Sequence, residues 1–223
     1  MNTDNGFLRV FQSLDSLFPI GAFTMSNGLE TYVQKGLICG EESLREYLSA
    51  YAAALPTGDL GFAAAAARGT PFAELDEIFA AVRSPMELRE GNRKLCKRLI
   101  KTQRALFDCP RLSEYGRAIE GGECFGSYPV AVGLFFADAE TELRRALELY
   151  CYSLLSQAVN HAVKLVPLSQ IAGQRCLGEM LERIPLICGK AEGVPTEELG
   201  IGGCGFDLRA MQHEGLYSRM YIS

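Results

Sequence analysis

"HEGLY", residues 213–217, is the stretch of this chain whose residue types come closest to a reaction centre. A zinc hydrolase uses H-E-x-x-H to set two histidines one helical turn apart, with a glutamate beside them as general base. Here the second ligand position is Tyr217, and the only other histidine is His161. His161 falls on the apolar row of a long helical segment, where a histidine belongs to an interior or an interface. One subunit therefore cannot assemble a His-rich catalytic metal site. A metal-dependent hydrolase built on His213 and Glu214 would need ligands from a second subunit.

Other reaction centres are missing too. Gly189-Lys190 is followed by alanine and lacks the earlier glycine of a phosphate-binding loop. "SNGLE" has the wrong glycine spacing for a dinucleotide site and no strand before it. No G-x-S-x-G elbow offers a serine nucleophile. The eight cysteines, at 39, 96, 109, 124, 151, 176, 188 and 204, include no C-x-x-C pair. Scattered in a reducing compartment, they read as small buried hydrophobes. By elimination the chain leans toward binding.

A formal charge of −5 and a pI near 5.2 give no overall electrostatic footprint for nucleic acid or an anionic membrane. The N-terminus has no secretory pattern, and the longest apolar neighbourhood, 52–67, is cut by "PTGD" well short of a membrane span. A cytoplasmic location is expected. The 223 residues are 48% hydrophobic, enough for one substantial core.

The elements that must position these residues are helical. Apolar residues recur at three and four, while alternating strand patterns are absent. A first helix runs through Phe7, Val10 or Phe11, Leu14 and Leu17 or Phe18 and ends before Pro19; a second, through Leu29, Tyr32 and Val33, stops at Gly36. A third spans 41–55 and an alanine-rich fourth reaches Arg68. Thr70-Pro71 and Ser84-Pro85 each place a hydroxyl before a proline at the first helical position, with Glu87 completing a capping box on Ser84. Asp138 is expected to cap the longest segment, 140–165, whose row is Leu143, Leu147, Tyr150, Leu154, Ala158, His161 and Leu165. Ser169 caps the next helix, to about Arg183. Nine or ten helices with short connections predict one all-α bundle over 1–223, with a loosely ordered tail over 207–223.

"FPIGAFTMSNGLE", 18–30, has too many small residues for an ordinary helix and too few charges for an ordinary loop. Its glycines either shape a surface that presents Phe23 to another protein or permit close helix packing. Together with "SPMELREGNRKLCKRLIKT" (84–102), "YPVAVGLFFA" (128–137), "VKLVPLSQ" (163–170) and "MQHEGLYSRMYIS" (211–223), this stretch resembles the UreF family of urease accessory proteins, the five elements falling in order along nearly the whole chain.

That resemblance implies an all-α, non-enzymatic protein without cofactor or resident metal. It implies a homodimer that pairs with a UreD/UreH-type accessory protein and recruits a UreG-type GTPase, so that nickel reaches apo-urease and GTP hydrolysis is regulated. Partner-binding candidates are Pro19, Gly21, Phe23, Ser26, Gly28 and Glu30 in the loop and His213, Glu214, Tyr217, Ser218 and Arg219 in the tail. Some relatives carry tyrosine where this chain has Phe23. Arg89, Arg93, Lys97 and Lys101 form an i, i+4 row, with Lys94, Arg98 and Arg104 beside it, which is either a solvated face or a docking strip. Tyr150 and Tyr152 lie on different faces of the longest helix and are candidates for the dimer surface. Cys204 and His213 could contact nickel in transit without forming a defined site. A generic helical interaction module would explain the helices and glycines equally well.

Overall fold

A computed structural model describes residues 3–221, and among them every regular element is helical. The α-helices are α1 (Thr3–Leu14), α2 (Leu29–Gln34), α3 (Glu41–Ala54), α4 (Asp59–Ala67), α5 (Phe72–Val82), α6 (Met86–Leu106), α7 (Pro110–Glu120), α8 (Tyr128–Asp138), α9 (Leu143–Leu165), α10 (Gln170–Leu181), α11 (Ile184–Gly193) and α12 (Cys204–His213). The all-α expectation holds. The described residues form twelve α-helices where nine or ten were expected; α7 and α11 are the two that the sequence reading did not separate.

The centre of the fold is α8, which is apolar on all sides and buried from Tyr128 to Phe136, as a helix without a polar face must be. It crosses α4, itself buried from Leu60 to Ala66. The crossing depends on Gly133: a Cβ there would stand 2.1 Å from the carbonyl oxygen of Ala63. The long α9 is the scaffold around this pair, packing against α1, α2, α3, α4, α10 and α11. Its row Leu147, Tyr150, Leu154, Ala158 and His161 is buried, as its spacing required. On the other side α6 packs against α7, α8 and α12.

Several caps differ from the sequence reading. Pro71 and Pro85 have extended ψ values of 125° and 127° and stand one position before their helices, so Thr70 and Ser84 lie too far out to reach the free amides. Neither helix has a side-chain cap, and Glu87 is released for another use. Asp138 does not cap α9, which starts after Glu142. Its carboxylate accepts the amides of Arg111 and Leu112, at 3.2 and 2.9 Å, and so caps α7. Ser169 caps α10 as expected, accepting from the Ala172 amide at 3.1 Å. The first helix ends at Leu14, where the Asp15 carboxylate takes the Leu17 amide at 2.7 Å in an Asx turn that directs Leu17 outward, 89% exposed.

Candidate functional site: the junction of loop 18–30 and the C-terminal tail

The loop is shaped by two glycines in left-handed conformations, Gly21 at φ +81° and Gly28 at φ +82°. At Gly21 a Cβ would meet the Arg98 guanidinium at 2.4 Å; that guanidinium donates to the Ile20 carbonyl at 3.0 Å. Gly28 lets α12 approach, since a Cβ would lie 3.0 Å from the Ala210 amide nitrogen. Between them a single 3-10 turn, Ala22–Thr24, aims its carbonyls at α9. Gln157 donates to the Ala22 carbonyl, and His161 Nε2 lies 3.0 Å from the Phe23 carbonyl. A carbonyl only accepts, so Nε2 carries the proton. Burial drives the His161 pKa down to about 4, with the Phe23 carbonyl opposing, so the ring is neutral near pH 7. The backbone is thereby pinned from inside while the Phe23 ring faces outward, 60% exposed.

The tail is fastened to the same frame. Glu30, in the first turn of α2, is 2% exposed. Its two carboxylate oxygens accept the amides of Met220 and Tyr221, at 2.8 and 3.0 Å, and face His213 Nε2 at 3.2 Å. His213 Nδ1 lies 2.7 Å from Glu87, whose other oxygen accepts from Arg219 at 2.7 Å. The His213 ring is fully buried between two carboxylates, each within hydrogen-bond distance of one ring nitrogen. Burial pushes the Glu30 carboxyl up, but the tail amides and His213 prevail and hold it below the usual carboxylate range. Tyr221 rests on the His161 ring at 4.4 Å between centroids, and Gln34 donates to the Ser218 carbonyl at 2.7 Å. Two motifs at opposite ends of the sequence thus form one unit. Ile222 and Ser223 of the tail motif lie outside the described residues.

The candidate residues divide accordingly. Ser26, Gly28, Glu30 and His213 are buried and hold loop and tail together; the Ser26 hydroxyl accepts the Glu30 amide at 3.4 Å. Gly21 is half-buried and shapes the turn. Pro19, Phe23, Glu214, Tyr217, Ser218 and Arg219 are exposed, Tyr217 completely, and Met220 stands beside them at 64%. Glu87 and Gln157 were not anticipated as members of this group. Glu87 stands three residues after a serine, which looks like a local cap, and no sequence pattern marks a glutamine that reaches a carbonyl 135 residues away.

The other candidates lie elsewhere. Tyr150 is interior, 1% exposed with its hydroxyl unpartnered, so of the dimer pair only Tyr152, 42% exposed, can reach a second subunit. On α6, Arg89 is tied to the carbonyls of Arg83 and Ser84, and Arg93 lies over the Phe125 ring and near Glu90. Lys97 and Lys101 stand free at the surface. A cleft of about 1010 Å³ opens between the loop and α9, past Phe23, Gln157 and His161, and reaches Asp59, Arg83 and Asp207 inside. Six cysteines are buried, while Cys39 and Cys204 are exposed. Among the described residues no group of three or more His, Cys, Asp or Glu side chains has the geometry to hold a metal ion. No described helix is long and apolar enough to cross a membrane.

The UreF family model matches residues 38–181, the span from just before α3 to the end of α10. Full-length relatives extend the match over nearly the whole chain. The urease accessory protein UreF of Arthrobacter sp. (strain FB24) is 30% identical over 97% of this chain and 96% of its own length. That of Actinobacillus pleuropneumoniae serotype 5b (strain L20) is 33% identical over 94% and 96%. That of Bacillus sp. (strain TB-90) is 30% identical over 98% and 100%. With an all-α core matched by the family model and relatives aligned from end to end, the chain belongs to the UreF family of urease accessory proteins.

Proposed function

We propose that this chain is a non-enzymatic, cytoplasmic scaffold in urease maturation that docks a UreD/UreH-type accessory protein through the joined loop and tail. In that assembly it recruits a UreG-type GTPase, regulates GTP hydrolysis, and supports transfer of nickel, the cargo, to apo-urease. The observation that carries the reading is the combination of a rigid frame with projecting side chains. Glu30, Glu87, His161 and His213 fix the backbone from beneath, while Phe23, Tyr217, Arg219 and Met220 face solvent. Aromatic and guanidinium groups presented without conformational cost are the residues that dominate binding hot spots. The homodimer uses the exposed face of α9 around Tyr152, and Tyr152→Asp with light scattering tests that surface.

The test of the main reading is complex formation with the UreD/UreH-type protein by gel filtration. Deletion of 213–223 abolishes assembly, and so does Phe23→Ala combined with Tyr217→Ala, which leaves the buried frame intact. Undiminished assembly of the double variant refutes the docking surface. Nickel does not bind the isolated chain stoichiometrically; equilibrium dialysis that finds a submicromolar site overturns this.

A further inference from the structure

Charge is segregated in this molecule in a way that the joined loop and tail do not use. Seven cations and two carboxylates lie on α6, a balance of +5 in a chain whose total is −5, so the remaining residues together carry −10. Most of the α6 arginines are occupied. Arg89 and Arg93 have the partners already described, and Arg104 bonds Glu120 at 3.1 Å and the Ser113 carbonyl at 2.6 Å. The exposed cations of α6 are Lys94, Lys97, Arg98 and Lys101, spaced i, i+3, i+4 and i+7, which is one continuous stripe along the helix. None of these four belongs to an ion pair among the described residues. Half of the chain's six lysines are gathered there.

Like charges at these spacings destabilise a helix, and among the described residues no carboxylate pairs with any of the four. The stripe also adjoins the docking loop, because the Arg98 guanidinium is bonded to the Ile20 carbonyl beside Gly21. We infer that the Lys94–Lys101 stripe of α6 is a docking surface for an acidic segment of a protein partner. A partner whose carboxylates repeat along a helix or extended segment matches it in length, about 10 Å for seven helical residues. Such pairing steers encounter and fixes register beside Phe23. A nucleic acid or an anionic bilayer fits less well: either would bring its extended charge against the −10 of the remaining residues, and no aromatic side chain interleaves the lysines to stack on bases.

This deepens the scaffold reading by giving one partner's chemistry, and it is tested on the full chain alone, so its failure leaves the loop-and-tail test untouched. The probe is a fluorescein-labelled, glutamate-rich helical peptide, followed by anisotropy at low and physiological salt. The wild-type chain binds it and loses affinity as salt rises. K94E/K97E/K101E weakens binding about tenfold or more, whereas the control K35E/K164E/K190E, with the same change in net charge at other exposed lysines, stays within about threefold. Equal weakening by the two triple variants overturns the assignment, as does absence of peptide binding to the wild type at low salt. Tighter binding to phosphatidylserine vesicles or to single-stranded DNA than to the peptide also overturns it. Unchanged circular dichroism of the variants shows that the fold is intact, and K94Q/K97Q/K101Q repeats the comparison without adding negative charge.

Discussion

Replacing His213 by alanine tests whether loop and tail are one mechanical unit. The ring is fully buried, with one nitrogen 2.7 Å from Glu87 and the other 3.2 Å from Glu30. Hydrogen bonds to charged groups contribute about 1.5–3 kcal/mol each, and the ring makes two, so about 3–6 kcal/mol is at stake. Glu30 retains the two tail amides and Glu87 retains Arg219, so the lower part of that range, about 3–4 kcal/mol, is expected. For a domain of this size each kcal/mol lowers Tm by about 2–4 °C, giving a fall of about 6–16 °C. Hydrogen exchange supplies the local readout: the amides of Met220 and Tyr221, which donate to Glu30, lose protection in His213→Ala. In a Glu30→Gln background the same substitution costs less, since the buried negative charge is already gone, and the double-mutant cycle measures the difference. A cost below about 1 kcal/mol, within the ordinary scatter of surface substitutions, would refute the coupling, as would unchanged exchange at residues 220 and 221.

His161 makes stability fall with acid. Its folded pKa, near 4, lies below the unfolded value of about 6.5, so between those limits the unfolded chain binds more protons. Stability is therefore full above about pH 6.5 and declines by up to about 3 kcal/mol as pH falls toward 4. Urea titrations at several pH values should show His161→Gln with a shallower decline than the wild type. Gly133→Ala forces a methyl group against the Ala63 carbonyl and should cost about 1–3 kcal/mol in the same assay; a neutral result means that α4 and α8 do not cross as closely as described. In the folded protein a thiol reagent should label Cys39 and Cys204 rapidly and the other cysteines only on unfolding. Burial raises the Cys109 and Cys124 thiols to about 11, which suppresses their thiolate forms near neutral pH, and rapid labelling of either would contradict this packing.

The helices were legible where one face had to be buried. The row from Leu147 to His161 on α9 gave both the element and its inward face, because five apolar or neutral side chains at helical spacing have no stable alternative to burial. The loop was legible as unusual, since glycines at 21 and 28 free the backbone for left-handed turns. The anchors beneath it were not legible. Glu30, Glu87 and His213 belong to three segments, and each sits in a local context with its own ordinary explanation: a helix start, a capping box, an unfinished zinc motif.

Two carboxylates, Asp138 and Glu87, were misread as local caps, for one reason. An acidic side chain near a helix start satisfies free amides equally well whether they belong to its own helix or to another one brought close by the fold. Asp138, expected to cap α9, caps α7; Asp76, inside α5, accepts the amides of Phe125, Gly126 and Ser127 and the Tyr115 hydroxyl, and so closes the turn that leads into α8. What decides between local and distant use is a shift of one residue in where the helix begins. Pro85 is extended and Met86 is the first helical residue, so Glu87 falls at the second position, where its side chain is free to leave the helix end. Had α6 started at Pro85, Glu87 would have stood at the third position and turned back toward Ser84. The tail would then have lost the carboxylate that holds both His213 and Arg219. The anchoring of the tail by Glu87 therefore depends on the ψ angle of a proline more than 120 residues before it.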